Sequence, residues 1–200
     1  MKKVQDHYFR RAKKEGYPAR SVYKLEETQQ KYKIINKGDI VLDLGCQPGS
    51  WSLYAAKVSG PQGLVIGVDM HKVGDLYRTG AAKIISIQAD IMDENIMEQL
   101  KEQAISYNVV LSDIAPHTTG NKWTDQCQSI TLASRCFEIA GNVLHEGGNF
   151  YCKIFQGEDA NDFVKTVNKK FQTVKTVKPK SSRKESVEMF VLGMNYTGNR

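Results

Sequence analysis

The chain has 200 residues, 40% hydrophobic and 25% charged, which suits one compact domain with a sizeable core and excludes a disordered or fibrous class. No apolar run reaches the roughly 18 residues of a bilayer span, and the opening MKKVQDHYFRRAKKEG lacks the apolar middle of a secretory signal, so a cytoplasmic protein is expected. The formal charge of +6 and pI near 9.0 are unevenly spread, with Lys and Arg crowding the first segment, where polyanion binding and a solvated helix face are both open readings.

The stretch from Val4 to Glu15 is basic and amphipathic, GYP at Gly16 to Pro18 interrupts it, and ARSVYKLEETQQKY resumes helical spacing through Val22, Leu25 and Tyr32. Two helices ahead of the core are expected. The basic opening also has some of the character of an organelle-targeting segment, against which Asp6, Glu15 and the lone early Ser21 count. GDIVLDLG then reads as a strand buried on both faces, the mark of a parallel sheet. Stacked βα units follow: SWSLYAAKV helical, GLVIGVD and AKIISIQAD strands, ENIMEQLKEQA helical, YNVVLSD a strand. The long helix DQCQSITLASRCFEIAGNVL, the strand GGNFYCKIF and the helix EDANDFVKTVNKKF continue the beat. QTVKTVKPK and SVEMFVLGMNY have no helix between them, so an antiparallel pair at the end of the sheet is expected. MHKVGDLYRTG carries no period that assigns it. Cys46, Cys127, Cys136 and Cys152 have neither C-x-x-C spacing nor a nearby His pair, so reduced thiols and no metal site are expected.

VLDLGCQPGSW sets Gly45 and Gly49 at the turn between a buried strand and a helix, where glycine lets the backbone bend and a ligand come close. The spacing is not the G-x-G-x-x-G of dinucleotide sites, because Gln47 and Pro48 intervene. Asp43 adds a negative charge that repels phosphate and suits a cation. A cationic ligand containing a nucleoside points to S-adenosylmethionine, with Asp69 at a strand end for ribose hydroxyls and Asp90 for the adenine amine. Each Asp alone is ordinary turn chemistry.

Four further polar positions stand out. Asp113 ends YNVVLSD, Lys153 lies inside an apolar strand where an amine is costly unless paired, Glu188 opens the last strand, and Lys24 sits in the second helix. Together with the landmarks ARSVYKL, VLDLGCQPGSWS, LSDIAPHTTG, KIFQGED and KPKSSRKESVEMFVL, they make the chain resemble the FtsJ/RrmJ family of ribosomal RNA 2′-O-ribose methyltransferases over nearly its whole length. The cofactor loop departs from the family's A-x-P-G-G-W at Cys46 and Ser50, with Gln47 at the variable position.

The resemblance implies an α/β Rossmann-like class I methyltransferase fold: a mostly parallel seven-stranded sheet with an antiparallel C-terminal strand and helices on both faces. It implies one domain over residues 1–200, with RNA-contacting helices in 1–36 and the catalytic core in 37–200. It also implies S-adenosylmethionine held by Asp43, Gly45, Pro48, Gly49, Trp51, Asp69, Asp90 and Asp113, and a Lys24, Asp113, Lys153, Glu188 catalytic set. On this reading Lys153 is the base for a ribose hydroxyl, Asp113 supports it, Lys24 disfavours its charged form and steadies the oxyanion, and Glu188 positions a lysine. Glu185 is the rival for that last role. The substrate implied is large-subunit ribosomal RNA, at a uridine, by a monomer. Arg10, Arg11, Lys13, Lys14 and Arg20, with Lys2 and Lys3, offer phosphate contacts, as do Lys178, Lys180, Arg183 and Lys184. A ribosome-assembly protein with a vestigial methyltransferase fold is the alternative.

Overall fold

The computed structural model describes residues 7–183 and 185–198; Lys2, Lys3, Val4, Asp6 and Lys184 of the readings above lie outside them. Helices α1 (His7–Lys14) and α2 (Val22–Tyr32) precede β1 (Ile40–Leu44), α3 (Ser50–Ser59), β2 (Leu64–Asp69), β3 (Lys83–Gln88) and α4 (Ile96–Gln103). Then come β4 (Tyr107–Ser112), α5 (Lys122–Val143), β5 (Leu144–Phe155), α6 (Ala160–Asn168), β6 (Phe171–Val177) and β7 (Glu188–Tyr196). The seven strands form one sheet in the order β3-β2-β1-β4-β5-β7-β6, in which β7 runs antiparallel to both its neighbours and the rest are parallel.

The apolar runs of β1, β2 and β4 are buried on both faces because helices cover both. One core lies under α4, α5 and α6 and includes Leu42, Ile66, Ile96, Ile139, Phe150 and Phe163. The other lies under α1, α2 and α3 and includes Val22, Leu25, Trp51, Val65, Tyr151 and Phe190. β3, at the edge, is only partly buried, and its alternation is correspondingly looser. The helical pattern leading into Leu144 stops one residue earlier, and β5 begins at once because Leu144 already pairs with Tyr107.

Chain order turns back between β1 and β4, which are neighbours in the sheet while β2 and β5 lie to opposite sides. Such a reversal opens a crevice beyond the C-terminal ends of the strands. The expected closing pair forms, with β7 inserted between β5 and β6 so that β6 takes the edge. The register puts Phe190 opposite Lys153 and Glu188 opposite Phe155. This insertion brings the start of β7 to the crevice.

β7 is held between its neighbours by close packing at Gly193, where an added Cβ would meet the Phe171 ring at 2.7 Å. Gly193→Ala is therefore expected to cost about 1–3 kcal/mol of stability through overpacking, measured as a lower urea midpoint with an unchanged slope.

Candidate active site

At the C-terminal edge of β4, β5 and β7, four charged side chains from separate parts of the chain meet. The Lys153 amine lies 3.0 Å from Asp113 Oδ1 and donates to the Asp113 carbonyl at 2.6 Å. The Lys24 amine lies 3.4 Å from the same Oδ1 and donates to Glu188 Oε2 at 2.9 Å. Both amines thus converge on one carboxylate oxygen. Lys153 is only 6% exposed and Glu188 9%, so the cluster is largely withdrawn from water. Burial pushes the Glu188 carboxyl up, but the Lys24 ammonium, with its hydrogen bond, outweighs this and leaves it below its ordinary value. Glu185, the rival, is exposed, and of the two glutamates it is Glu188 that pairs with Lys24.

Packing fixes the cluster. The Thr28 hydroxyl, one turn beyond Lys24, lies 2.8 Å from the Tyr151 hydroxyl, which seats α2 on β5. Glu27 accepts from the backbone N–H groups of Lys180 and Ser181 at 2.6 and 2.9 Å, and Arg20 donates to the Ser181 carbonyl. The connection leading to Glu188 is thereby tied to the helix carrying Lys24. Phe190 and Tyr151 stack at 4.8 Å, and the Lys24 amine lies 5.6 Å above the Phe190 ring.

Beside this cluster a cleft of about 430 Å³ runs along the ends of β1, β2 and β4, lined by Gly45, Asp69, Asp90, Asp113, Ile114 and Leu132 among others. Asp69 accepts from the Gln47 and His71 backbone N–H groups, which fixes its carboxylate at the rim. A smaller cavity of about 40 Å³ joins Asp43, Gly45, Pro48, Trp51 and Asp113. Gly45 and Gly49 both take positive φ, +74° and +101°, and a Cβ on Gly49 would strike Leu76 at 2.5 Å. Asp43 is 1% exposed and accepts from the Ser52 hydroxyl at 2.6 Å. Burial pushes its carboxyl up to about 7, and Asp113 and Asp69 add to the rise while Ser52 opposes it. The Trp51 ring is buried, stacked on Tyr151 at 5.6 Å, and its Nε1 donates to the Ser21 carbonyl at 2.8 Å, so it also anchors the N-terminal helices.

The basic residues divide. Arg10, Lys13, Lys14, Lys178, Lys180 and Arg183 are exposed. Arg11 instead pairs with Glu15 and Glu26 at 2.7 and 3.0 Å and covers the Tyr23 ring, a structural position that its place in a basic run did not reveal. Arg20 is half-buried over Tyr8. The irregular segment 70–80 proves to be a loop folded onto the site, with Leu76 over Gly49 and Arg78 donating to the Tyr17 hydroxyl and the Glu15 carbonyl at 2.7 and 2.8 Å. Its residues answer to partners distant in sequence, so no local period could have flagged them.

The profile of the FtsJ-like methyltransferase family matches residues 17–196. The chain is 51% identical over 196 residues to a protein of Desulfotalea psychrophila named ribosomal RNA large subunit methyltransferase E, covering 98% of each chain. It is 42% identical over 199 residues to the protein of that name from Nitratidesulfovibrio vulgaris, covering 99% of this chain and 96% of the relative. Among solved structures, one described as a ribosomal RNA methyltransferase, putative, from Plasmodium falciparum superposes with a TM-score of 0.79 at 29% identity, covering 92% of this chain and all of that one. A seven-stranded sheet with one reversed strand, full-length relatives and a matching profile lead to one conclusion: the chain belongs to the FtsJ-like methyltransferase family.

Proposed function

We propose that this methyltransferase moves a methyl group from S-adenosylmethionine to the 2′-hydroxyl of a uridine ribose in large-subunit ribosomal RNA. The observation that carries the reading is the position of Asp113, which lines the cleft at the ends of β1 and β2 and also holds the Lys153 amine at 3.0 Å. The RNA target agrees with the names borne by the bacterial relatives. The uridine comes from the family resemblance alone.

The donor set of the cleft fits the cofactor. Asp69 and Asp90 present carboxylates at successive strand ends, suited to ribose hydroxyls and an exocyclic amine, and Gly45 keeps the turn open between them. Asp43 is a buried carboxyl poised near neutrality, and a cation brought beside it favours its ionised form. When bound, the cofactor supplies an electrophilic methyl on a sulfonium. Everything else falls to the chain's own side chains. The hydroxyl must lose a proton as it becomes a nucleophile, and Lys153 is the base assigned to it. Lys153 is nearly buried and shares its carboxylate oxygen with the Lys24 amine, so both amines are held at the edge that the hydroxyl must reach. Asp113 orients Lys153, and Glu188 holds Lys24 from the far side. Alignment of acceptor and donor can contribute on the order of 7–11 kcal/mol to lowering the barrier.

The RNA track follows from charge and stacking. Exposed Arg10, Lys13 and Lys14 lie on α1, and a cavity of about 580 Å³ between α2 and the β6–β7 connection is lined by Tyr8, Lys31, Tyr32, Lys178 and Lys180. Amines beside aromatic rings suit a phosphodiester strand with unstacked bases. A protein that only bound RNA would have no use for a nearly buried lysine on a carboxylate beside the cofactor cleft. The protein is read as a cytoplasmic monomer; among the described residues no helix is long and apolar enough to cross a membrane.

Lys153→Ala is expected to keep cofactor affinity within about twofold and to lower methyl transfer to ribosomal particles by about 10²–10⁴-fold, read with labelled cofactor; turnover near that of the parent would remove the base assignment. Replacing Arg10, Lys13 and Lys14 together by Ala is expected to flatten the dependence of log K on log salt by about 0.7 for each phosphate that is no longer neutralised. For Asp43 the folded value of about 7 lies above the ordinary 3.8, so the folded chain holds an extra proton between the two and loses stability as pH rises through that window. Asp43→Asn is expected to abolish this part of the fall in melting temperature between about pH 4 and about pH 7, and to weaken cofactor binding.

A further inference from the structure

A fourth cavity, of about 320 Å³, adjoins the site on the side away from the cofactor cleft. Ala115 lines both, so the two meet just beyond Asp113, and Lys153 and Glu188 form part of the wall of this one alone. In-line transfer needs donor and acceptor on opposite sides of the reacting atoms, with the base reaching the acceptor. The space beyond Lys153 is therefore where an acceptor nucleoside belongs.

Its walls carry suitable chemistry. Phe155, half-buried at the end of β5, and Val187, 42% exposed, offer apolar surface for the faces of a ring. Lys122, exposed at the start of α5, stands at the mouth with no carboxylate partner among the described residues. Gln126, one turn further along α5, reaches the same cavity. Its carboxamide makes no hydrogen bond to any described residue, and it lies against Gly157, where a Cβ would meet Oε1 at 2.6 Å and Cδ at 2.7 Å. The absence of a side chain at residue 157 thus makes the room that the amide occupies. An unpaired amide held in a half-apolar cavity, one donor group beside one acceptor, has the make-up of a base reader.

We propose that this cavity seats the base of the acceptor nucleotide and that Gln126 hydrogen-bonds its Watson–Crick edge, with Gly157 leaving the room that the amide needs. The inference rests on the ribose-methylation reading above and adds to it the group that contacts the pairing edge of the base. A uracil edge presents O4 as acceptor and N3–H as donor, which one carboxamide meets with its NH₂ and its oxygen. A carboxylate at that position could only accept, and would suit the amino group of cytosine better.

The test uses large-subunit particles lacking the modification, with uridine or cytidine at the mapped acceptor position, and labelled cofactor. Gln126→Ala is expected to lower kcat/KM on the uridine particle by about tenfold or more, with cofactor affinity unchanged. Gln126→Glu is expected to shift the uridine-to-cytidine ratio of kcat/KM toward cytidine by a similar factor. Gly157→Ala, whose Cβ displaces the amide, is expected to reproduce the Gln126→Ala loss, while the double variant is no worse than Gln126→Ala alone because the shortened side chain leaves the space free. Parent-like rates in Gln126→Ala overturn the proposal, as does an unmoved uridine-to-cytidine ratio in Gln126→Glu. So does an additive loss in the double variant, which would mean that the two residues act separately. Methyl transfer by the parent to the mapped 2′-hydroxyl in the same assay separates this outcome from a failure of the methylation reading, which falls if the parent leaves that ribose unmodified.

Discussion

One carboxylate oxygen organises this molecule. Asp113 Oδ1 takes the amines of Lys24 and Lys153 at 3.4 and 3.0 Å, joining the second helix to the end of β5, and Lys24 continues the chain of contacts to Glu188 on β7. Two amines on one oxygen repel each other, and such an arrangement persists only where surrounding structure prevents either from turning away. Here the restraint is visible: α2 is pinned to β5 through Thr28 and Tyr151, and the segment before β7 is pinned to α2 through Glu27 and Arg20. The fold supplies the rigidity, and the polar cluster draws on it.

The topology explains why the cluster forms at this edge. β4 leads into Asp113 at the point where strand order reverses, and the crevice left there is shared by the turn after β1 and the ends of β2 and β3. β7 then enters between β5 and β6 in the opposite direction, so its first residue, Glu188, arrives at the same edge as the last residues of β5. A parallel β7 would have delivered its final residues instead. The single reversed strand is thus what lets a carboxylate near the C-terminal end of the sequence reach a lysine near the N-terminal end.

Much of this could be read from the residues. The apolar runs of β1, β2 and β4 announce a doubly covered sheet, and Lys153 among Cys152, Ile154 and Phe155 is conspicuous because an amine in such a strand needs a partner. Lys24 carried no such signal: in isolation SVYKLEE is a half-solvated helix, and only the family landmarks single it out. Arg11 looked like a phosphate ligand because its neighbours are basic, but its partners Glu15 and Glu26 lie one and several turns away on helices whose mutual packing the sequence does not state. The loop 70–80 and the pairing of Gln126 with Gly157 were illegible for the same reason. Each depends on two segments meeting in space, and neither segment alone has a period or composition that forecasts the meeting.

The distribution of charge completes the physical logic. Asp43, Asp69 and Asp90 line the cleft and the small cavity beside it, and Arg10, Lys13, Lys14, Lys178, Lys180 and Arg183 are exposed on the helices and connections outside them. Between them the two lysines and two carboxylates of the cluster are formally balanced. On the function proposed above, a cationic donor and a polyanionic acceptor are attracted by groups of opposite sign, and they meet where the formal charges cancel and water is largely excluded. Neither reactant's long-range attraction has to be overcome at the point of contact. What remains for the cluster is local: to hold one hydroxyl, remove one proton and leave the line of transfer clear, which is work for side chains fixed by packing.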